Sequence, residues 1–159
     1  MARTLLAILI LASLAAAAGA TEREVPVDQF DLDDYAGKVV VLDFWASWCP
    51  PCVKAMPFLS AMQEKYGEQG LVTVAVNLDQ NPKAPDKMIG ELHDDIIVVR
   101  DGGTGLLARE YKVTGLPTAL VLDRSGNVVS THVGFHDGEK ASREAELKKL
   151  LAAKPNAGG

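Results

Sequence analysis

Two hydrophobic periods alternate along this chain. Val39-Val40-Val41-Leu42-Asp43-Phe44 follows Gly37 as a β-branched, nearly unbroken apolar run, which predicts a buried strand. From Cys52 to about Tyr66 the spacing changes. Val53, Met56, Leu59, Met62 and Tyr66 recur at three- and four-residue steps, predicting a helix that Gly67 stops and Pro57 kinks. Leu71 to Leu78 reads as a second strand, and residues 83–94 as a weaker helix after the Asn81-Pro82 turn. Ile96 to Val99 is a short extended segment, and Leu106 to Tyr111 a short helix behind Gly102, Gly103 and Gly105. Thr118–Leu122 and Val128–Val133 flank Arg124-Ser125-Gly126 and predict a hairpin. Residues 139–153 predict a closing amphipathic helix with Leu147, Leu150 and Leu151 inward. This order gives an α/β fold whose central sheet mixes parallel and antiparallel strands, with helices on both faces.

The first twenty residues follow neither period. Arg3 supplies a positive start, Leu5 to Ala18 is an apolar and small-residue run, and Ala18-Gly19-Ala20 offers a small-x-small cleavage point. The run falls short of the roughly 20 residues that cross a bilayer. Residues 1–20 are therefore expected to be a cleaved signal peptide and 21–159 a single domain, the alternative being an uncleaved anchor. Lipid attachment is not expected, because no cysteine stands at the cleavage point. An exported chain meets an oxidising compartment, in bacteria the periplasm.

Composition narrows the function by exclusion. Sixteen Lys and Arg against 21 Asp and Glu give a net charge of −5 with no basic stripe, so no nucleic-acid partner is expected. Two cysteines in 159 residues are too few to staple a fold of this size. Their use must be chemical.

Both cysteines lie in Trp45-Ala46-Ser47-Trp48-Cys49-Pro50-Pro51-Cys52, at a strand-to-helix junction. A disulfide between them closes a very small loop and constrains the unfolded chain little. Cys49 would sit at the helix start, where unpaired N–H groups and the positive end of the dipole favour a thiolate. Cys52, one turn further in, could resolve a mixed disulfide formed on Cys49. An inert surface disulfide and a two-thiolate metal site are the alternatives. No second cysteine pair completes a zinc site.

Asp43-Phe44-Trp45-Ala46-x-Trp48-Cys49-x-Pro51-Cys52, with Pro57 beyond it, resembles the thioredoxin superfamily. Gly115-Leu116-Pro117-Thr118 is similar to that family's cis-proline loop, and the resemblance extends from Val39 to Val133. It implies a thioredoxin fold. Asp79-Gln80-Asn81-Pro82 looks like the corresponding thioredoxin turn, but residues 83–110 then intervene before Tyr111. A helix-bearing insertion there, with a second proline before Cys52, resembles the exported TlpA/ResA branch. That branch includes reductants of apocytochrome c and of copper-site cysteines.

The resemblance implies roles for matching positions. Cys49 would be the nucleophile, Cys52 the resolving thiol and Asp43 the buried acid that exchanges a proton with it. Burial at a strand end should raise the pKa of that acid. Pro117 would be cis, presenting the Leu116 backbone to an extended client segment. Trp48 and Pro50 would border the client beside Cys49. Two positions depart from the pattern: Ala75 replaces a lysine that neighbours the acid in many thioredoxins, and Ala55 replaces a glutamate common in ResA-type reductants. The Pro50-Pro51 pair lacks the histidine of strongly oxidising relatives, so the Cys49 pKa is expected to be only modestly lowered.

The remaining signals read as structural. Trp45 and Trp48 are expected to pack around the cysteines, and Met56 and Met62 to fill the core. His93, His132 and His136 are not grouped with a cysteine, His132 and His136 would not share a helix face, and no metal site or cofactor is expected. Asp31, Asp33, Asp34, Lys148 and Lys149 read as solvated charges, and Gly102 to Gly105 as a connector. The function implied is a periplasmic thiol–disulfide oxidoreductase that reduces client proteins, fed by a membrane thiol donor resembling DsbD or CcdA, and monomeric. The alternatives are a disulfide oxidase or isomerase, a Cu(I) metallochaperone using the same sulfurs, and a non-catalytic binding module.

Overall fold

The computed structural model describes residues 23–153; the expected signal peptide lies outside them. Six strands form one mixed sheet: β1 Glu24–Pro26, β2 Val39–Trp45, β3 Leu71–Asn77, β4 Ile97–Arg100, β5 Thr118–Leu122 and β6 Val128–Val133. Their order across the sheet is β1-β4-β3-β2-β5-β6. The β1–β4, β4–β3 and β3–β2 pairs are parallel, whereas β2–β5 and β5–β6 are antiparallel. Among the described residues, four α-helices accompany the sheet: α1 Pro50–Tyr66, α2 Asp86–Glu91, α3 Leu106–Glu110 and α4 Lys140–Ala152.

Strand β2 is buried along its whole length, as a central strand flanked on both faces must be. Its residues alternate between two cores. Val39, Val41 and Trp45 join Met56, Leu59 and Met62 of α1 and Leu147 and Leu151 of α4. Val40, Leu42 and Phe44 face the opposite way, toward Leu107 of α3. Alternation puts Asp43 on the α1/α4 side. Helices therefore cover both faces of a mixed sheet, as the hydrophobic pattern predicted.

The differences from the sequence reading are local. Helix α1 starts at Pro50, two residues before Cys52, and continues through Pro57. Helix α2 occupies only six residues of the predicted 83–94 stretch, because Leu92 turns extended and ends it. Segment 83–110 supplies strand β4 as well as helices, and β4 carries the unforeseen edge strand β1. Gly70 closes the turn between α1 and β3 at φ +102°, and a Cβ there would stand 3.0 Å from an Arg124 guanidinium nitrogen. Among the described residues, no helix is long and apolar enough to cross a membrane.

Candidate active site

Strand β2 ends at Trp45, and the chain turns before entering α1. The Cys49 N–H donates to the Ala46 carbonyl at 3.1 Å, closing a turn whose middle residues are Ser47 and Trp48. Cys49 caps α1: its Sγ accepts the Cys52 N–H at 3.4 Å. Pro50 and Pro51 fill the first helical positions, where a missing N–H forfeits no intrahelical bond. With both prolines lacking an N–H, the Cys52 N–H and the positive end of the α1 dipole are what favour negative charge on the Cys49 sulfur.

Cys49 and Cys52 form a disulfide with their Cα atoms 5.3 Å apart. Cys52 is fully buried, and Cys49 is 5% exposed. An open groove of about 510 Å³ runs past Cys49. It is lined by Trp48 and Pro51 from the cysteine segment, Ala108 and Val113 from the chain in and just after α3, and Gly115 and Leu116 from the loop before β5. The Leu116–Pro117 peptide is cis. Its loop is held by Thr118 Oγ1 donating to the Gly115 carbonyl at 2.7 Å, and by the Gly134 N–H donating to the Pro117 carbonyl at 2.8 Å.

Asp43 is 2% exposed, and its Oδ2 has no hydrogen-bond partner. Burial pushes its pKa up from 3.8 to about 7, and the charge of Arg143 on α4 opposes part of that rise. Its parallel neighbour on β3 is Ala75 and its antiparallel neighbour on β5 is Ala119. Arg143 is itself nearly buried, donating to the Gly134 carbonyl at 2.8 Å and to Glu139 Oε2 at 2.9 Å.

The two tryptophans part company. Trp45 is fully buried in the same cluster as both cysteines, whereas Trp48 is 68% exposed at the groove rim instead of packed around the disulfide. His132 does find a carboxylate: its Nε2 lies 2.8 Å from Glu146 Oε2, an encounter between β6 and α4 invisible to local spacing. Among the described residues, no cluster of His, Cys, Asp and Glu has the makings of a metal site.

One neighbour of the cysteine turn was not foreseen. Asp79, 3% exposed, accepts the Ser47 N–H at 2.8 Å, the Ser47 hydroxyl at 2.7 Å and the Asn77 side-chain amide at 2.7 Å. The sequence marks it only as the first residue of the Asp79-Gln80-Asn81-Pro82 turn, which gives no sign of its bonds to Ser47.

Residues 16–151 match the Redoxin family. The chain belongs to that family. Within it, the chain is 33% identical over 122 residues to the thiol-disulfide oxidoreductase ResA of Bacillus cereus, covering 77% of this chain and 69% of ResA. It is 30% identical over 122 residues to the thioredoxin-like protein YneN of Bacillus subtilis, covering 76% and 71%. A Chlorobium tepidum structure described as a thiol:disulfide interchange protein DsbE superposes with a TM-score of 0.71 at 38% identity, over 76% of this chain and 85% of that one. This Redoxin is thus a TlpA/ResA-like member of the thioredoxin superfamily, with a thioredoxin fold. Its activity is thiol–disulfide oxidoreduction on disulfide-containing substrates.

Proposed function

We propose that this Redoxin is an exported reductant of protein disulfides. The observation that carries the reading is a sulfur pair split between groove and core, with a protonatable acid on the core side. Reduced Cys49, as thiolate, attacks one sulfur of a client disulfide. A new S–S bond joins Cys49 to the client, and the client's other sulfur leaves as a thiolate. Cys52 loses its proton and attacks the Cys49 sulfur, expelling the second client thiolate. The client gains two electrons, and Cys49–Cys52 is left oxidised.

Asp43 accepts the Cys52 proton in the second step. A carboxyl with a pKa of about 7 takes up and releases protons near neutrality, where an exposed aspartate stays ionised. Leu116 and Pro117 offer backbone to an extended client segment, and Trp48 and Pro50 flank it. Pro50 and Pro51 bring neither an N–H donor nor a cationic side chain to the space between the sulfurs. That leaves thiolate stabilisation modest and favours the reducing direction.

The apolar run before Ala20 serves as a cleaved signal, leaving residues 21–159 as a monomer in the periplasm. Clients there are cytochrome c precursors or copper-site cysteines. An oxidising compartment requires a steady donor, a membrane thiol carrier resembling DsbD or CcdA. The names ResA and DsbE carried by relatives support this family of roles.

The test is the equilibrium reduction potential of the purified protein against glutathione. A value below roughly −220 mV, toward the thioredoxin end of the scale, is expected. A value above about −180 mV reverses the direction and makes the protein an oxidant or isomerase.

A further inference from the structure

The groove beside Cys49 is lined from two distant parts of the chain, which form its walls, and buried and part-buried hydrogen bonds connect them. On the near wall, the turn Ala46–Cys49 is docked onto the end of β3. The Leu78 N–H donates to the Trp45 carbonyl at 2.9 Å, and both Ser47 donors end on Asp79. On the far wall stands α3, whose Ala108 lines the groove.

Asn77 joins the two. Its side-chain amide donates to Asp79 Oδ2, its side-chain oxygen accepts the Asp79 N–H at 3.2 Å, and its backbone carbonyl accepts the Asp101 N–H at 3.1 Å. Asp101 is fully buried at the end of β4. Its Oδ1 accepts the Leu106 N–H at 2.9 Å and the Thr104 hydroxyl, fixing the start of α3. The connector between them rests on Gln80, next to Asp79. A Cβ on Gly103, at φ +74°, would lie 2.9 Å from Gln80 Cγ.

A carboxylate buried on three donors, as Asp79 is, is costly to desolvate, and its charge-assisted bonds hold their donors at fixed positions. We propose that the chain Ser47–Asp79–Asn77–Asp101–Leu106 sets the position of the Cys49 turn against the wall built by residues 83–110, with Asp79 the positioning residue for the sulfur and Asp101 the positioning residue for the client wall. Segment 83–110 thereby forms part of the client-binding surface. The groove is apolar at Ala108 of this segment and at Val113 just beyond it, so it selects extended segments with apolar side chains beside their disulfide. The part concerning clients rests on the groove being the client site.

The two positions are separable by substrate size. Dithionitrobenzoate needs only a reactive Cys49, whereas insulin must also enter the groove. Asp79→Ala in the reduced protein should slow both reactions at least fivefold. Asp79→Asn should stay within twofold to threefold, because its oxygen can take the place of Oδ2 and its amide can donate to the Ser47 hydroxyl. Asp101→Ala should slow insulin at least fivefold and leave dithionitrobenzoate within twofold. If Asp79→Ala is too unstable to assay, Ser47→Ala should show a twofold to threefold loss with dithionitrobenzoate that Ser47→Thr restores.

Three results would overturn the inference. They are unchanged rates in Asp79→Ala (or in Ser47→Ala where that variant stands in for it), equal losses on both substrates in Asp101→Ala, and losses that merely follow melting temperature across all variants. A native protein that reacts with dithionitrobenzoate yet leaves insulin oxidised fails the reductant reading instead. The Asp79 comparison on the small disulfide still decides the anchoring role in that case.

Discussion

Arg143 on α4 supplies the positive charge that acts on the buried Asp43 carboxylate of β2, while Ala75 holds the strand position beside that acid. A cation delivered by a helix acts on the acid where the neighbouring strand offers none. It is fixed in place by the Gly134 carbonyl and Glu139, with its guanidinium carbon 5.3 Å from the Phe135 ring centre. Arg143→Gln should therefore raise the Asp43 pKa further above about 7, by roughly half to one pH unit. Arg143→Lys should recover part of the difference. Carbon-detected NMR titration of the Asp43 carboxyl reads this directly, and an identical midpoint in Arg143→Gln would remove Arg143 from the site.

Asp43 also makes stability depend on pH, in the sense opposite to a salt-bridged carboxylate. Its pKa is raised from 3.8 in the unfolded chain to about 7 in the folded one. Between those values the folded chain holds a proton that the unfolded chain releases, so stability falls as pH rises through the window and levels off above it. The full difference corresponds to roughly 4 kcal/mol. Asp43→Asn, a neutral near-isostere, should be more stable than the native protein at pH 8 by up to about that amount, with little difference at pH 4. Denaturant midpoints at the two pH values test it. Equal gains at both would mean that packing, and not ionisation, is responsible.

The proposed client contact of Trp48 can be tested apart from stability. The residue is 68% exposed beside the groove and contributes little to the core. Trp48→Ala should leave the melting temperature within about 2 °C of native, since exposed substitutions typically change stability by under about 0.5 kcal/mol. The KM for insulin should rise several-fold, while the rate with dithionitrobenzoate stays within twofold. A drop in stability comparable to a core truncation would mean that the ring packs in solution.

The sequence made the framework legible where the signal is dense and local. The apolar run of β2, the helical stripe from Met56 to Tyr66 and the turn between β5 and β6 each carry their pattern within one element. The Cys49–Cys52 junction was legible because strand, turn, cap and helix adjoin in the sequence. What escaped is long-range or very short. Strand β1 has three residues and exists by pairing with β4, more than 70 positions away. Asp79 reaches back 32 positions to Ser47, His132 meets Glu146 across two elements, and Arg143 acts on Asp43 from the last helix. No periodicity encodes a hydrogen bond between a turn and a distant side chain.

Arg124 offers a test of this long-range kind away from the chemistry. The sequence marks it only as a turn residue before Ser125-Gly126, yet its guanidinium donates to four carbonyls. These are Gly37 at 2.7 Å, Leu151 at 3.0 Å, and Gln69 and Ala153 at 3.3 Å. It thus joins the start of β2, the turn before β3 and the end of α4 at the pole of the sheet opposite Cys49. Hydrogen bonds from a charged donor contribute about 1.5–3 kcal/mol each when buried, and less where water competes, as it does at Gln69 and Ala153. Arg124→Met keeps the aliphatic stem and loses all four bonds, so a loss of about 2–3 kcal/mol is expected, or roughly 5–10 °C in melting temperature. The reduction potential and the rate with dithionitrobenzoate should not move at a temperature where both proteins are folded. A changed potential would show that the carbonyl clamp and the sulfur site are coupled through β2, which the separation of the two poles argues against.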